Sequence, residues 1–265
     1  MRDQTHPPTA LSLMRRWVVD YFNSHDPAAC ADFIAPDYSL HIGDTVFRGR
    51  DTEWLPAVDA QMALFPGLTM TVHQTLSGPD WAAAYFSEHG ASGGKAAVWS
   101  GVAIYRAGQG RLLSCVAQED YMTRQRQLKS GQADAVEPPA IAPWGSAPGE
   151  RDAAAEAVVA DWLTTDWPQE HPEIRVDDEH IILTPLQFET ETVEIEALHS
   201  SDGHVVFHAV QHGLYQGGLA KVEGSGQRAH LHCNGILRVE DGTIRGGRII
   251  RDRLALQALV RKGDS

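Results

Sequence analysis

The segment GVAIYRAGQGRLLSCVAQEDYMTRQRQL, residues 101–128, returns later in the chain as GILRVEDGTIRGGRIIRDRLALQAL, residues 235–259. The two copies align without a gap, and each one is typical of a strand, a tight turn and a longer strand. Near the end of its second strand each copy carries an aspartate, Asp120 in the first and Asp252 in the second. This repeat indicates two domains of one kind in tandem.

An upstream pair of strands repeats as well. TVHQTLSGPDWAAAYFSEHG, residues 71–90, aligns with EIEALHSSDGHVVFHAVQHG, residues 194–213. The alignment sets Tyr85 on His208 and His89 on His212.

Three units follow from the repeat. We predict a first domain over residues 1–128 and a linker rich in Pro, Gly and Ala over residues 129–150. The second domain then covers residues 151–265. Since the second copy has fewer residues between its first helix and its repeated strands, we expect its helical lid to be reduced.

Composition limits the classes of partner and the compartment. The net charge of −13 disfavours nucleic acid and anionic membranes, because both bind positive surfaces. The three cysteines are far apart in the sequence and odd in number, which favours reduced thiols over disulfides. The first ten residues, MRDQTHPPTA, contain no apolar signal-peptide core. These features predict a cytoplasmic protein.

The first domain has a helix-rich half and a strand-rich half. Apolar spacing and capping residues predict helices over residues 11–23, 27–34 and 52–64. Strands are predicted over residues 68–76, 81–90, 96–106 and 111–122. This order indicates an α+β fold in which helices cover one face of a curved antiparallel sheet and enclose an apolar pocket.

Short motifs accompany this order of elements: NSHD at residues 23–26, APDY at 35–38, FPGL at 65–68, YRAGQG at 105–110 and RQL at 126–128. In this order, the motifs resemble the nuclear-transport-factor-2-like superfamily and, within it, the SnoaL-like polyketide cyclases. The resemblance covers about residues 11–128 and implies two tandem cystatin-like α+β cones. Because such domains usually pair, it also implies that the two cones dock through their sheets as a pseudo-dimer.

The resemblance places the catalytic acid/base of this family at the end of the last strand, where Asp120 and Asp252 stand. A carboxylate at the mouth of an apolar cone has a raised pKa, which suits proton abstraction next to a carbonyl group. The alternative is that each aspartate caps the helix that follows it.

Other candidate site residues surround these aspartates. His89 and His41 are candidates for stabilising an enolate, although His89 also fits a histidine that hydrogen-bonds within its turn. Trp54 fits either the pocket or the core. The expected substrate-binding residues are Tyr38, Tyr85, Arg106, Trp54, His212 and Arg238.

Histidines concentrate in the second domain. If two strand faces there point inward, His208, His212, His230 and His232 could hold a divalent metal together with Asp252. The alternative is a polar face packed on the first domain or exposed to water. Because the related cyclases and isomerases work without metal or cofactor, we expect neither.

The predicted function is a cofactor-independent cyclisation, isomerisation or lyase step on a small hydrophobic carbonyl compound. A hydrolase of the limonene-epoxide-hydrolase type would use the same residues to activate water. A non-catalytic ligand-binding or assembly module remains the opposing hypothesis, in which both aspartates are helix caps.

Overall fold

The structure is a computed structural model that describes residues 8–165, 171–182 and 185–263. In the first domain, α1 (Ala10–Arg15) continues as a π-helical segment, Arg16–Phe22, and α2 (Cys30–Phe33) follows a short 3₁₀ turn, Pro27–Ala29. The hairpin of β1 (Ile34–Ile42) and β2 (Thr45–Arg48) leads to a second π-helical segment, Arg50–Trp54, and then α3 (Leu55–Leu64). The remaining elements are β3 (Thr69–Ser77), β4 (Trp81–Ser92), β5 (Lys95–Gly108), β6 (Arg111–Glu119) and α4 (Tyr121–Ser130).

The second domain has fewer helices before its strands. Its elements are α5 (Ala153–Thr165), β7 (Ile174–Val176), α6 (Glu179–Ile182), β8 (Gln187–Ser201), β9 (His204–Gly217), β10 (Gln227–Glu240), β11 (Thr243–Arg251) and α7 (Arg253–Gly263). Among the residues that the structure describes, no helix is long and apolar enough to cross a membrane.

The two sheets share one topology. The first has the strand order β2-β1-β6-β5-β4-β3, and the second has the order β7-β11-β10-β9-β8. In the first sheet β1 runs parallel to β6, and in the second β7 runs parallel to β11. All other neighbouring pairs are antiparallel. The α+β fold with two tandem sheets is therefore confirmed.

Helices cover the inner face of each sheet. In the first domain, α1 and the two π-helical segments place Met14, Trp17 and Trp54 against sheet residues such as Trp99 and Tyr105. In the second domain, the long α5 contributes most of the helical side of the core. The larger number of helices gives the first domain the larger core.

The outer faces of the two sheets pack against each other. Tyr85 and Val102 of the first sheet share one apolar cluster with Val206 and Ile236 of the second. The Asn234 side-chain amide donates to the Val102 carbonyl at 2.9 Å across this contact. Alternation along each strand therefore divides side chains between a cone interior and the domain interface.

Candidate active site

Three side chains from adjacent strands meet inside the first cone. Glu88 of β4 lies directly opposite Trp99 of β5, and Glu119 of β6 lies opposite Gly101. Because Trp99 and Gly101 are two positions apart, they share one face of β5. Both glutamates therefore point toward the helices, where they line a common cavity.

The two carboxyl groups have different hydrogen-bond donors. The Trp99 indole N–H donates to Glu119 Oε2 at 3.0 Å. The Tyr121 hydroxyl also hydrogen-bonds to Glu119. Glu88 Oε2 accepts from the Gln61 side-chain amide at 2.9 Å. Glu119 thus has two aromatic donors, whereas Glu88 has one amide donor.

A guanidinium group lies close to this pair. The Arg124 side chain stacks over the Tyr121 ring at 4.2 Å and lies 5.0 Å from the Trp99 ring centroid. Its positive charge acts on both Glu88 and Glu119 and favours their ionised forms. Aromatic rings stabilise such a cation, so Arg124 is held beside the two carboxyl groups.

Burial changes the acidity of both glutamates. Glu88 is 2% exposed and Glu119 is 8% exposed. Desolvation raises the pKa of Glu88 well above its ordinary value, and the neighbouring Glu119 charge raises it further. Desolvation also raises the pKa of Glu119, but the donors Trp99 and Tyr121 oppose that rise. The pair therefore contains one strongly protonated acid, Glu88, and one more easily ionised carboxyl, Glu119.

Aromatic and aliphatic side chains form most of the cavity wall. Trp17 and Phe22 come from the first π-helical segment, and Trp54 comes from the second. Such π-helical turns are frequent at functional sites. The cavity has a volume of about 40 Å³. Since about 10–15 Å³ of such space holds one water molecule, the cavity has room for only a few waters.

A chain of neutral polar groups lines another wall. The Cys115 thiol hydrogen-bonds to the hydroxyl groups of Tyr38 and Tyr105. Burial raises the pKa of both tyrosines well above the ordinary value. Both hydroxyl groups therefore remain protonated at neutral pH and can donate hydrogen bonds.

The structure places only part of the predicted pocket in this cavity. Tyr38 and Trp54 line it, as expected. His41 is exposed on β1 and does not line it. Arg106 is exposed near the end of β5, and Arg238 is exposed on β10, where its guanidinium pairs with Glu240.

His89 and Tyr85 lie on the opposite face of β4. His89 hydrogen-bonds the hydroxyl groups of Thr69 and Thr71, at 3.2 and 2.7 Å. Tyr85 donates to Glu137 Oε1 at 2.6 Å and accepts from Arg248 Nε at 3.2 Å. Because side chains alternate along a strand, Phe86 and Glu88 point inward while these two residues point outward.

Asp120 also lies outside the cone. Its Oδ1 accepts from the Thr123 backbone N–H at 3.1 Å, which caps α4, and from the Arg253 guanidinium at 2.6 Å. Burial raises the pKa of Asp120, while the Arg253 charge opposes the rise. Asp120 lines a separate cleft of about 310 Å³ between the domains. The predicted position at the cone mouth is therefore wrong, because the adjacent Glu119 takes the inward-facing position.

Asp252 repeats the capping role in the second domain. Its Oδ1 accepts from the Ala255 backbone N–H at 3.0 Å at the start of α7. Its Oδ2 lies so close to Gly43 that a Cβ there would come within 2.2 Å of it. Asp252 thus faces the first domain.

The four histidines proposed as metal ligands lie side by side on β9 and β10, with ring centroids 5.6 Å apart for His208 and His232 and 6.2 Å apart for His212 and His230, but they do not converge on one point. His208 Nε2 lies 3.0 Å from Glu196, and its Nδ1 lies 2.6 Å from Asn234. His212 is half exposed, 3.9 Å from Glu194. His230 and His232 instead converge on Asp44 of the first domain. The predicted four-histidine site is therefore wrong.

The sequence did contain a signal for the two glutamates. Glu88 and Glu119 each precede a residue that we singled out, His89 and Asp120. The apolar residues Phe86 and Ala117 lie two positions earlier on the same faces. A strict period of two, applied from these apolar positions, selects the glutamates.

Parts of the chain are similar to known proteins. The model of the SnoaL-like domain family matches residues 14–114. Wild-type IdmH, a candidate polyketide cyclase from Streptomyces antibioticus, has 24% sequence identity and a TM-score of 0.42, covering 47% of this chain and 99% of its own. A candidate SnoaL-like polyketide cyclase from Jannaschia sp. CCS1 has 12% identity and a TM-score of 0.42, covering 48% of this chain and 98% of its own. No curated relative matches the sequence. Residues 14–114 are therefore similar to the SnoaL-like domain family.

Proposed function

We propose that the first cone is a general acid/base site for small carbonyl compounds, with Glu119 as the base and Glu88 as the acid. One observation carries this assignment: two buried carboxyl groups with unequal donors line the same cavity. Environments that separate the pKa values of two neighbouring carboxyls are characteristic of an acid and a base in one site.

The chemistry follows from these contacts. Ionised Glu119, held by Trp99, removes a proton from the carbon next to the substrate carbonyl. Protonated Glu88 donates a hydrogen bond to the carbonyl oxygen, where negative charge develops. Return of the proton to another carbon completes an isomerisation. Attack of the enolate carbon on a second carbonyl breaks that C=O π bond, and the new alkoxide takes the proton from Glu119 to complete an aldol-type cyclisation.

Two features of the cone support this chemistry. Aromatic walls exclude bulk water, which strengthens the electrostatic interactions inside. The protonated Tyr38 and Tyr105 hydroxyls supply further donors to a polar substrate atom. A small, mostly apolar compound with one carbonyl group fits this lining best.

A proton-exchange experiment tests the proposal without a known substrate. Cyclopentanone and 2-butanone in D₂O would be followed by ¹H NMR for loss of the protons next to the carbonyl. We expect the wild type to accelerate exchange and Glu119→Gln to lower that acceleration by about 100-fold or more, the usual contribution of a general base.

Carboxyl pKa values give a measurement that needs no substrate. We expect ¹³C NMR titration to show both Glu88 and Glu119 titrating above an exposed glutamate, with Glu88 the higher of the two. Ordinary values near 4.3 for both residues, or equal exchange rates for the wild type and Glu119→Gln, would overturn the proposal.

A further inference from the structure

A carboxylate of the first domain meets two imidazoles of the second. Asp44 lies in the turn of the β1–β2 hairpin, and His230 and His232 lie on β10. Because the histidines are two positions apart, they project from one face of the strand. The His230 Nε2 atom lies 2.9 Å from both Asp44 oxygens, and the His232 Nε2 atom lies 3.0 Å from Oδ1.

These three side chains offer a ligand set for a transition metal. One ligand atom from each lies within 4.8 Å of the other two. Zinc bonds histidine nitrogen at about 2.0–2.1 Å and carboxylate oxygen at about 2.0–2.2 Å. Small rotations of the three side chains therefore allow one ion between them.

The surroundings favour a cation. Asp252 is close enough for its charge to interact with both Asp44 and His232. Gly43 makes this arrangement possible, since it has φ +53° and leaves room for Asp252 Oδ2 against its backbone. A larger residue at position 43 would push the hairpin turn away from the histidines.

We propose that Asp44, His230 and His232 bind one Zn²⁺ ion that joins the β1–β2 hairpin to β10. Two imidazoles and one carboxylate are a ligand set that zinc uses in proteins, and three protein ligands leave a position for water. The site is separate from the cavity of Glu88 and Glu119 and does not depend on the proposed acid/base function. Because its ligands come from both domains, the ion stabilises their docking.

Metal titration of the untagged, chelator-stripped protein tests the site. We expect calorimetry with ZnCl₂ to give one ion per chain, and Co²⁺ to produce visible absorption bands of a low-symmetry site. Asp44→Asn and His232→Gln should each weaken binding by roughly 100-fold or more, because each removes a direct ligand, whereas loss of a supporting hydrogen bond alone costs about 10–100-fold.

His212→Gln is the matched control. It removes the imidazole that faces His230 from the adjacent strand, with ring centroids 6.2 Å apart, but that does not bond Asp44, and we expect wild-type zinc affinity. Zinc should raise the melting temperature of the wild type and of His212→Gln but not that of Asp44→Asn. Circular dichroism without metal confirms that each variant is folded.

Three results would overturn the proposal. They are no stoichiometric zinc binding by the wild type, equal affinity for wild type and Asp44→Asn, or a loss in His212→Gln as large as in His232→Gln. The last result would show binding by scattered surface histidines rather than by the Asp44 cluster.

Discussion

The two cones carry different chemistry at equivalent positions of the same sheet. The repeat alignment, extended along the paired strands, sets Glu88 on Gln211, Trp99 on Leu231 and Glu119 on Arg251. The first cone thus has two carboxyl groups around a cavity. The second has a neutral amide, an aliphatic side chain and a guanidinium at those places.

The guanidinium in the second interior is held by ion pairs within its own domain. Arg251 pairs with the fully buried Asp177 at 2.7 Å and also with Glu179, both of which follow β7. The apolar side chains of α5 pack on the remaining inner face. The comparison teaches that one fold supports either a site with perturbed acids or a closed, ion-paired core, depending on a few inward positions.

The largest expected effect is at Arg251. Arg251→Met leaves Asp177 and Glu179 without their main cation in a buried position, and we expect a loss of about 3 kcal/mol in the free energy of unfolding. Urea denaturation measures it. Glu119→Gln, the change at the equivalent position of the first cone, should leave stability nearly unchanged because a neutral amide replaces a poorly solvated carboxyl. Equal losses in the two variants would contradict the comparison.

A smaller effect on stability distinguishes Asp120 from its neighbour in the sequence, Glu119. Asp120→Ala removes the cap of α4 and one partner of Arg253, so we expect a loss of about 0.5–2 kcal/mol in unfolding free energy. The ketone exchange rate should stay at the wild-type level, since Asp120 does not line the cone. An exchange rate as low as that of Glu119→Gln, with stability intact, would return the catalytic role to Asp120.

The smallest effect, taken per pH unit, is a dependence of stability on pH. Because the pKa of Glu88 is raised in the folded state, the native protein keeps a proton that the unfolded chain releases. The resulting stability is complete below the unfolded pKa, near 4.3, and is lost as the pH rises toward the folded pKa, by at most about 1.4 kcal/mol per pH unit for one group.

Denaturation between pH 5 and pH 8 checks this slope. Glu88→Gln cannot release the proton, so its stability should fall less steeply with pH than that of the wild type. Glu223→Gln, at an exposed position, is the control and should keep the wild-type slope. Identical slopes for Glu88→Gln and the wild type would exclude a protonated Glu88.

Much of the fold could be predicted because it depends on local patterns. Alternating apolar residues gave the strands β3 to β6, and the repeat gave the second sheet. The helix 27–34 was predicted too long: residues 27–29 form a 3₁₀ turn, α2 is only Cys30–Phe33, and β1 begins at Ile34. The residues of this segment can form either a helix or a strand, and the pairing of β1 with β6 decides where the strand begins.

The site was harder to predict because the face of the sheet to which a side chain points depends on how all the strands pair. Asp120 and Glu119 have similar chemistry and adjacent positions, and only the register of β6 on β5 turns one inward and the other toward Arg253. The same holds for His89 and Glu88 on β4. Asp44 could not be linked to His230 at all, since 186 positions separate them.

The sequence by itself determined that this protein has two related α+β domains, because periodic burial and repeated turns are written in neighbouring residues. Only the tertiary structure decided which acids share a cavity, which aspartates cap helices and which histidines meet a carboxylate of the other domain. Those contacts depend on strand register and domain docking, and a shift of one residue in strand register exchanges the inward and outward faces.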